Sequence, residues 1–414
     1  MAKVTREQKL QSIIEAEKML SEIQDVDVLL ERLLTEARNI VHADAGSIYI
    51  LEGKKIKIRY AQNDTQLRKL LPGDKLPYVS FSFPATEKSI VGYCVLSGSV
   101  INISDCYNLP PNAPYAFNKM MDVSTGYRTK SMLTLPLKMA NGRTLGVLQI
   151  INAQDDDGQL IGFDADAELY ITHFAANVTQ ALEHAYLTSN MIKRMQRMAA
   201  YRDPKETYQH VERVSSFAIE IYDRWAVNHQ ISDSERQKFR DNLKIAAKCH
   251  DLGKVGISDV ILKKVSPRFT EEERAIMKGH TCIGAMLFTE PESAMDEMAR
   301  DVCLYHHEWW DGSNNGYPGN YDFSKYIIGE PLEYAEPLKG TEIPLSARIV
   351  ALADVFDALS HKRVYKEAWS TEDAFMEIQS LSGRQFDPEI VLAFMQVKDR
   401  ICAINAAWET SIED

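Results

Sequence analysis

The chain has 414 residues, 45% hydrophobic and 26% charged, the balance of a globular protein with room for two or three domains. Its net charge of -12, from 47 basic and 59 acidic residues, disfavours duplex nucleic acid and anionic membrane surfaces as partners. There is no signal-peptide core, no run of roughly 20 apolar residues to span a membrane, and no C-x-x-C among six scattered cysteines, so a reducing, cytoplasmic setting is expected.

From about 26 to 165 the pattern predicts a mixed α/β domain. A helix runs through VDVLLERLLTEARNIV, and strands follow at GSIYILE, KIKIRYA, SMLTLPLKM and TLGVLQIINA, the last two joined by a turn at Asn141, Gly142 and Arg143. Hairpin-like connections of this kind predict an antiparallel sheet flanked by helices. From Asp164 to Ala200 there is no Gly or Pro, and Ile171, Phe174, Val178, Ala181, Ala185, Thr188, Ile192, Met195 and Ala199 step by three and four. This seam, about 55 Å long at 1.5 Å per residue, predicts a connecting helix that pairs with its copy in a dimer. The alternative is a helix that covers the edge of the first domain.

After Asp203 and Pro204 the chain reads as all-α, with helical patterns at about 205–227, 232–252, 270–289, 294–309, 344–361, 371–382 and 387–405. Residues 311–343 form instead a long loop rich in Gly, Asn, Tyr and Pro, and loops of that length usually serve function. The expected domains are 1–165, a linker helix 166–200, and 201–414.

Five of the ten histidines stand out by their company. Glu206 and His210 are four apart and share a helix face. His250 adjoins Asp251, and His306 adjoins His307; neighbours on a helix point about 100° apart, so each pair suits two ions better than one. His280 follows in a Lys-Gly-His run. Asp354, inside the apolar IVALADVFDAL, needs a cation or strong hydrogen bonds if buried. Imidazoles and carboxylates without thiolates suit iron or manganese better than zinc; Cys249 is read as a small buried side chain. In HDLGK, Gly253 is expected to end a helix and turn the backbone, directing Lys254 toward whatever the ions hold.

Together, HDLGKVGISDVIL, the KGH at 278–280, HHEWWDGSNNGYP, LKGTEIPLSARIVALADVFDALS and KRVYK at 362–366 resemble the HD-GYP domain across about 200–405. That family comprises metal-dependent phosphodiesterases that open bacterial cyclic dinucleotides, chiefly cyclic di-GMP. The resemblance implies two or three divalent ions held by Glu206, His210, His250, Asp251, His280, His306, His307 and Asp354. It implies Asp251 and Lys254 as catalytic residues, and substrate contacts from Lys254, Gly316, Tyr317, Pro318, Arg363 and Lys366. Glu308 is expected to support the ligands from behind, and Trp309 and Trp310 to pack.

The sequence departs from the family at two places. Ser313, Asn314 and Asn315 lengthen the turn before Gly316 by two residues, and a stretch at 319–337 replaces a short link. Both border the expected substrate, leaving base choice between cyclic di-GMP and cyclic GMP-AMP, and a protein partner at this loop, open. The first half resembles a GAF domain through ADAGSIYILEGKKIKIRYAQND, SIVGYCVLSG and GVLQIINAQD, but Ala153 and Ala167 replace the Lys and Asp of its cyclic-nucleotide motif. Sensing and a structural or dimerising role both remain open there. The competing functional classes are a non-catalytic dinucleotide receptor or scaffold, and an HD-superfamily enzyme acting on mononucleotides.

Overall fold

The computed structural model describes all residues except 1–5, 22, 24, 71–80, 140, 203–207, 265–267, 362–368 and 411–414. The chain divides into two compact units, Met1–Ser189 and Asn190–Asp414.

In the first unit the helix Val26–Ile40 starts where Asp25 accepts from the backbone N–H groups of Asp27 and Val28. Leu29, Leu30, Leu33, Leu34 and Ala37 recur on one face and are fully covered by the sheet. The strands are β1 (Ala43–Glu52), β2 (Lys55–Asn63), β3 (Ser82–Pro84), β4 (Ile101–Ile103), β5 (Met132–Lys138), β6 (Thr144–Gln154) and β7 (Leu160–Ile161). They form one sheet in the order β3-β2-β1-β6-β5-β4 with β7 on β6, every pairing antiparallel as the hairpin pattern predicted. The other face, with Ile56, Met132 and Val147, is closed by the helix Ile90–Ser97. Asn152 is fully buried with a φ of 59°. Its amide ties down the backbone of Arg128, Lys130 and Ser131, a structural use of that side chain.

The connecting helix is unbroken from Ala165 to Arg202. Ile171, Phe174, Val178 and Ala185 of its seam are buried in the first unit's own core beside Ile13, Leu20 and Leu30. That part of the helix therefore covers its own domain, as the alternative reading had it. Thr188, Ile192 and Met195 are part-exposed or exposed.

The second unit is helical: Tyr208–Asn228, Asp233–Ala246, Glu271–Lys278, His280–Met286, Ala294–Tyr305, Leu345–Ser360, Thr371–Ser380, Pro388–Gln396 and Lys398–Thr410. Phe217, Phe356, Phe375 and Phe394 pack ring against ring at its centre among Leu243, Val302 and Val350, with Phe375 and Phe394 stacked. Three predicted helices are broken. The span 232–252 tightens into 3-10 turns at Ala247–Cys249 and Leu252–Gly256; 270–289 breaks at Gly279, against which the ring of Tyr326 packs; and 387–405 breaks at Val397. Periodicity persists through each break, so composition alone does not reveal it. The 311–343 loop lacks α-helix and is anchored by Tyr326, buried with Ile257, Leu262 and Ile283. Among the described residues, no helix is long and apolar enough to cross a membrane.

Candidate metal centre

Four buried histidines reach the site from separate elements: His210 near the start of Tyr208–Asn228, His250 between two 3-10 turns, His280 as first residue of its helix, and His306 capping Ala294–Tyr305. In each, Nδ1 faces an acceptor. It lies 2.8 Å from Ala247 O for His250, 2.8 Å from Met277 O for His280 and 2.9 Å from Val302 O for His306. For His210 the acceptor is Asp357 Oδ2, at 2.7 Å. A carbonyl or carboxylate can only accept, so each Nδ1 donates, which leaves Nε2 to present the lone pair of a neutral ring.

Those lone pairs face carboxylate oxygens. Nε2 of His280 and of His306 stand 3.2 and 3.8 Å from Asp251 Oδ1, buried and without the geometry of a hydrogen bond. His250 Nε2 is 3.4 Å from Asp251 Oδ2, and His210 Nε2 is 3.4 Å from Asp354 Oδ1. Acceptor facing acceptor in a buried pocket is repulsive unless a cation lies between them. A proton on His306 does not serve, because burial pushes that imidazole down to about 3, with His250 and His280 adding to the effect against Asp251. Burial likewise holds His307 well below the ordinary histidine range. A divalent ion fits: ligand atoms about 2.1 Å from one six-coordinate ion stand about 3 Å apart.

Two groups of potential ligands share one member. Single donor atoms of Asp251, His280, His306 and His307 lie within 4.8 Å of one another, and so do those of His210, His250 and Asp251. Asp251 thus belongs to both groups. Burial raises its carboxyl, but Lys254 and His250 overcome this and hold it well below the ordinary carboxylate range. Lys254 Nζ lies 2.5 Å from Asp251 Oδ2.

Gly253 acts differently from expectation. It does not end a helix but lies within the Leu252–Gly256 turn and lets that turn abut the backbone of His280, where a Cβ would lie 1.9 Å from His280 O. Glu308 is also corrected. Its carboxylate accepts from Gly319 N and Leu338 N, clasping both ends of the inserted stretch rather than backing the histidines. Burial pushes it up to about 7. The residue that does back a histidine of the cluster is Asp357, which the sequence reading passed over. It holds His210 and pairs with Arg213 at 2.6 and 2.8 Å, and these contacts, against its burial, keep it ionised. Its signal was present in DVFDAL: Asp357 lies one helical turn beyond Asp354.

The Gly316, Tyr317 and Pro318 turn borders the cluster, with a cis Tyr317–Pro318 bond. The Tyr317 ring stacks on His307 at 4.8 Å between centroids, with Lys278 Nζ 4.8 Å above it. Tyr334 of the insertion reaches Asn314 of the lengthened turn at 3.3 Å, so the two departures from the family pattern touch. Trp310 packs under Arg348, and Cys249 is buried. Glu206, Arg363 and Lys366 lie outside the described residues.

Residues 207–359 match the family model of the HD domain, a second HD domain model matches 333–390, and residues 25–182 match that of the GAF domain. The chain therefore carries a region that matches the GAF domain followed by one that matches the HD domain. It is 38% identical over 204 residues to a cyclic di-GMP phosphodiesterase of Thermotoga maritima, covering 49% of this chain and 48% of that protein. It is 35% identical over 203 residues to 3'3'-cGAMP-specific phosphodiesterase 2 of Vibrio cholerae, covering 49% and 34%, and 34% identical over 220 residues to the cyclic di-GMP phosphodiesterase response regulator RpfG of Xanthomonas campestris, covering 53% and 50%. The chain spans about half or less of the length of these curated relatives.

Proposed function

We propose that the chain hydrolyses a 3′,5′ phosphodiester of a cyclic dinucleotide, cyclic di-GMP first, at the His/Asp cluster. The observation that carries this reading is the convergence of imidazole Nε2 lone pairs on Asp251 and Asp354, an arrangement that calls for divalent cations. His210, His250, Asp251, His280, His306, His307 and Asp354 would hold two ions, iron or manganese by ligand type, with Glu206 as the added ligand of a third. Such ions, when bound, supply Lewis acidity to a phosphoryl oxygen and an acidified water.

The chain's own groups do the rest. Asp251, common to both groups, would hold the ions together with the histidines. Lys254 donates from Nζ to a phosphoryl or leaving oxygen. The Tyr317 ring walls the site over His307, and its hydroxyl, which burial pushes above the ordinary tyrosine range, stays a donor at neutral pH. Arg363 and Lys366 are assigned to the second phosphate. Pairing with a second copy has the stretch of the connecting helix beyond Ala185 to use. Cysteines without disulfides among the described residues favour a cytoplasmic setting.

Anaerobic purification with metal analysis, followed by hydrolysis of cyclic di-GMP and 3′3′-cyclic GMP-AMP, tests the reading. Asp251→Ala should lose metal and turnover. Lys254→Ala should keep metal but slow by ~10²-fold, the usual loss for one transition-state donor. Parental turnover by Asp251→Ala would reject the site.

A further inference from the structure

The connecting helix ends in the second unit, and its last turns face the segment that carries His250, Asp251 and Lys254. Gln196 Nε2 donates to Lys248 O at 3.3 Å. Arg202 grips the chain just beyond Lys254. Its Nη1 donates to Val255 O, and its Nη2 to Ile257 O at 3.0 Å and to Asp259 Oδ1 at 2.9 Å. One planar guanidinium thus takes the carbonyls on either side of Gly256 together with a carboxylate, a geometry that lysine cannot reproduce. The gripped turn is itself closed: Lys254 N donates to Asp251 O and Ile257 N to Lys254 O, both at 3.1 Å. On another side, Gly253 abuts His280 and Gly256 abuts Ile283.

We infer that Arg202 is a positioning residue that couples the end of the connecting helix to the turn carrying Asp251 and Lys254, so that displacing this helix changes turnover. The same helix begins in the GAF unit, so the coupling is the covalent route by which an event there reaches the hydrolytic turn. The inference rests on the proposed activity. Arg202 is part-exposed and Asp259 exposed, so their pair adds little to stability. Its effect is on where the turn stands.

The test compares the parent chain with Arg202→Ala, Arg202→Lys and Asp259→Asn. The readouts are turnover of cyclic di-GMP, metal content, and hydrogen exchange of the amides of 252–259. Arg202→Ala should lower kcat by about tenfold or more, where a 1 Å misplacement costs ~10²-fold, with KM and metal content near parental. Exchange at 255–259 should rise by about tenfold, while that at His306 and His307 stays unchanged. Arg202→Lys should recover only part of kcat, and Asp259→Asn should add nothing to Arg202→Ala. Parental kcat in Arg202→Ala, or a loss of kcat accompanied by loss of metal, overturns the inference. If the parent hydrolyses neither dinucleotide, the proposed activity fails instead, and parental exchange at 255–259 in Arg202→Ala then overturns the clamp.

Discussion

Gly253 is where one methyl group should disassemble the site. A Cβ there would lie 1.9 Å from His280 O and 2.4 Å from Gly284 N, while real Cβ contacts essentially never fall below 3.0 Å. The turn and the helix His280–Met286 would have to part by about 1.1 Å. The obstacle is backbone, so no rotamer change relieves it. His280 rides on one side of that gap and Asp251 on the other, with 3.2 Å between Nε2 and Oδ1. An opening of about 1 Å is the size of misplacement that costs ~10²-fold in rate, and overpacking costs about 1–3 kcal/mol in stability. Gly253→Ala should therefore fold, carry less metal than the parent, and turn over ~10²-fold more slowly. Metal analysis, steady-state kinetics and urea denaturation give the three readouts. Parental metal content with parental turnover would refute the packing argument.

Asp357→Asn should leave Arg213 buried opposite a neutral amide and free the His210 ring to rotate. The expected losses are about 3–5 kcal/mol of stability by urea denaturation and about 10–100-fold in metal affinity by competition with a chelator. Glu308 gives a pH signature. Its carboxyl is pushed up to about 7 in the folded chain against an ordinary value of 4.5, so between these values the folded state holds more protons than the unfolded one. Its contribution is fully present below about 4.5 and is lost as pH rises through about 7, a fall of about 3 kcal/mol. Glu308→Gln should flatten that dependence in urea midpoints taken at pH 5 and pH 8; a parent profile that rises over this range would contradict the assignment.

The described side chains of the His/Asp cluster were legible as candidates, because metal chemistry restricts donor types and the pairs His250 with Asp251 and His306 with His307 are adjacent in the chain. The sheet was legible too, since apolar alternation and the turn at Asn141, Gly142 and Arg143 are local signals. Two roles were misread for one reason. Gly253 and Glu308 were judged by what each does to its own neighbourhood, whereas His280, 27 residues on, and Gly319 with Leu338 decide what they do.

What the sequence determined by itself is therefore the chemistry: a thiolate-free donor set, a lysine beside it, and a GAF domain ahead of an HD domain. Only tertiary structure decided the direction of each Nε2, the place of Asp251 in both groups, and the contacts of Asp357 and Arg202. Side-chain type is a property of one position, but a lone pair's direction is set by the partner that takes the other ring nitrogen. For His210 that partner lies 147 residues away, on another helix.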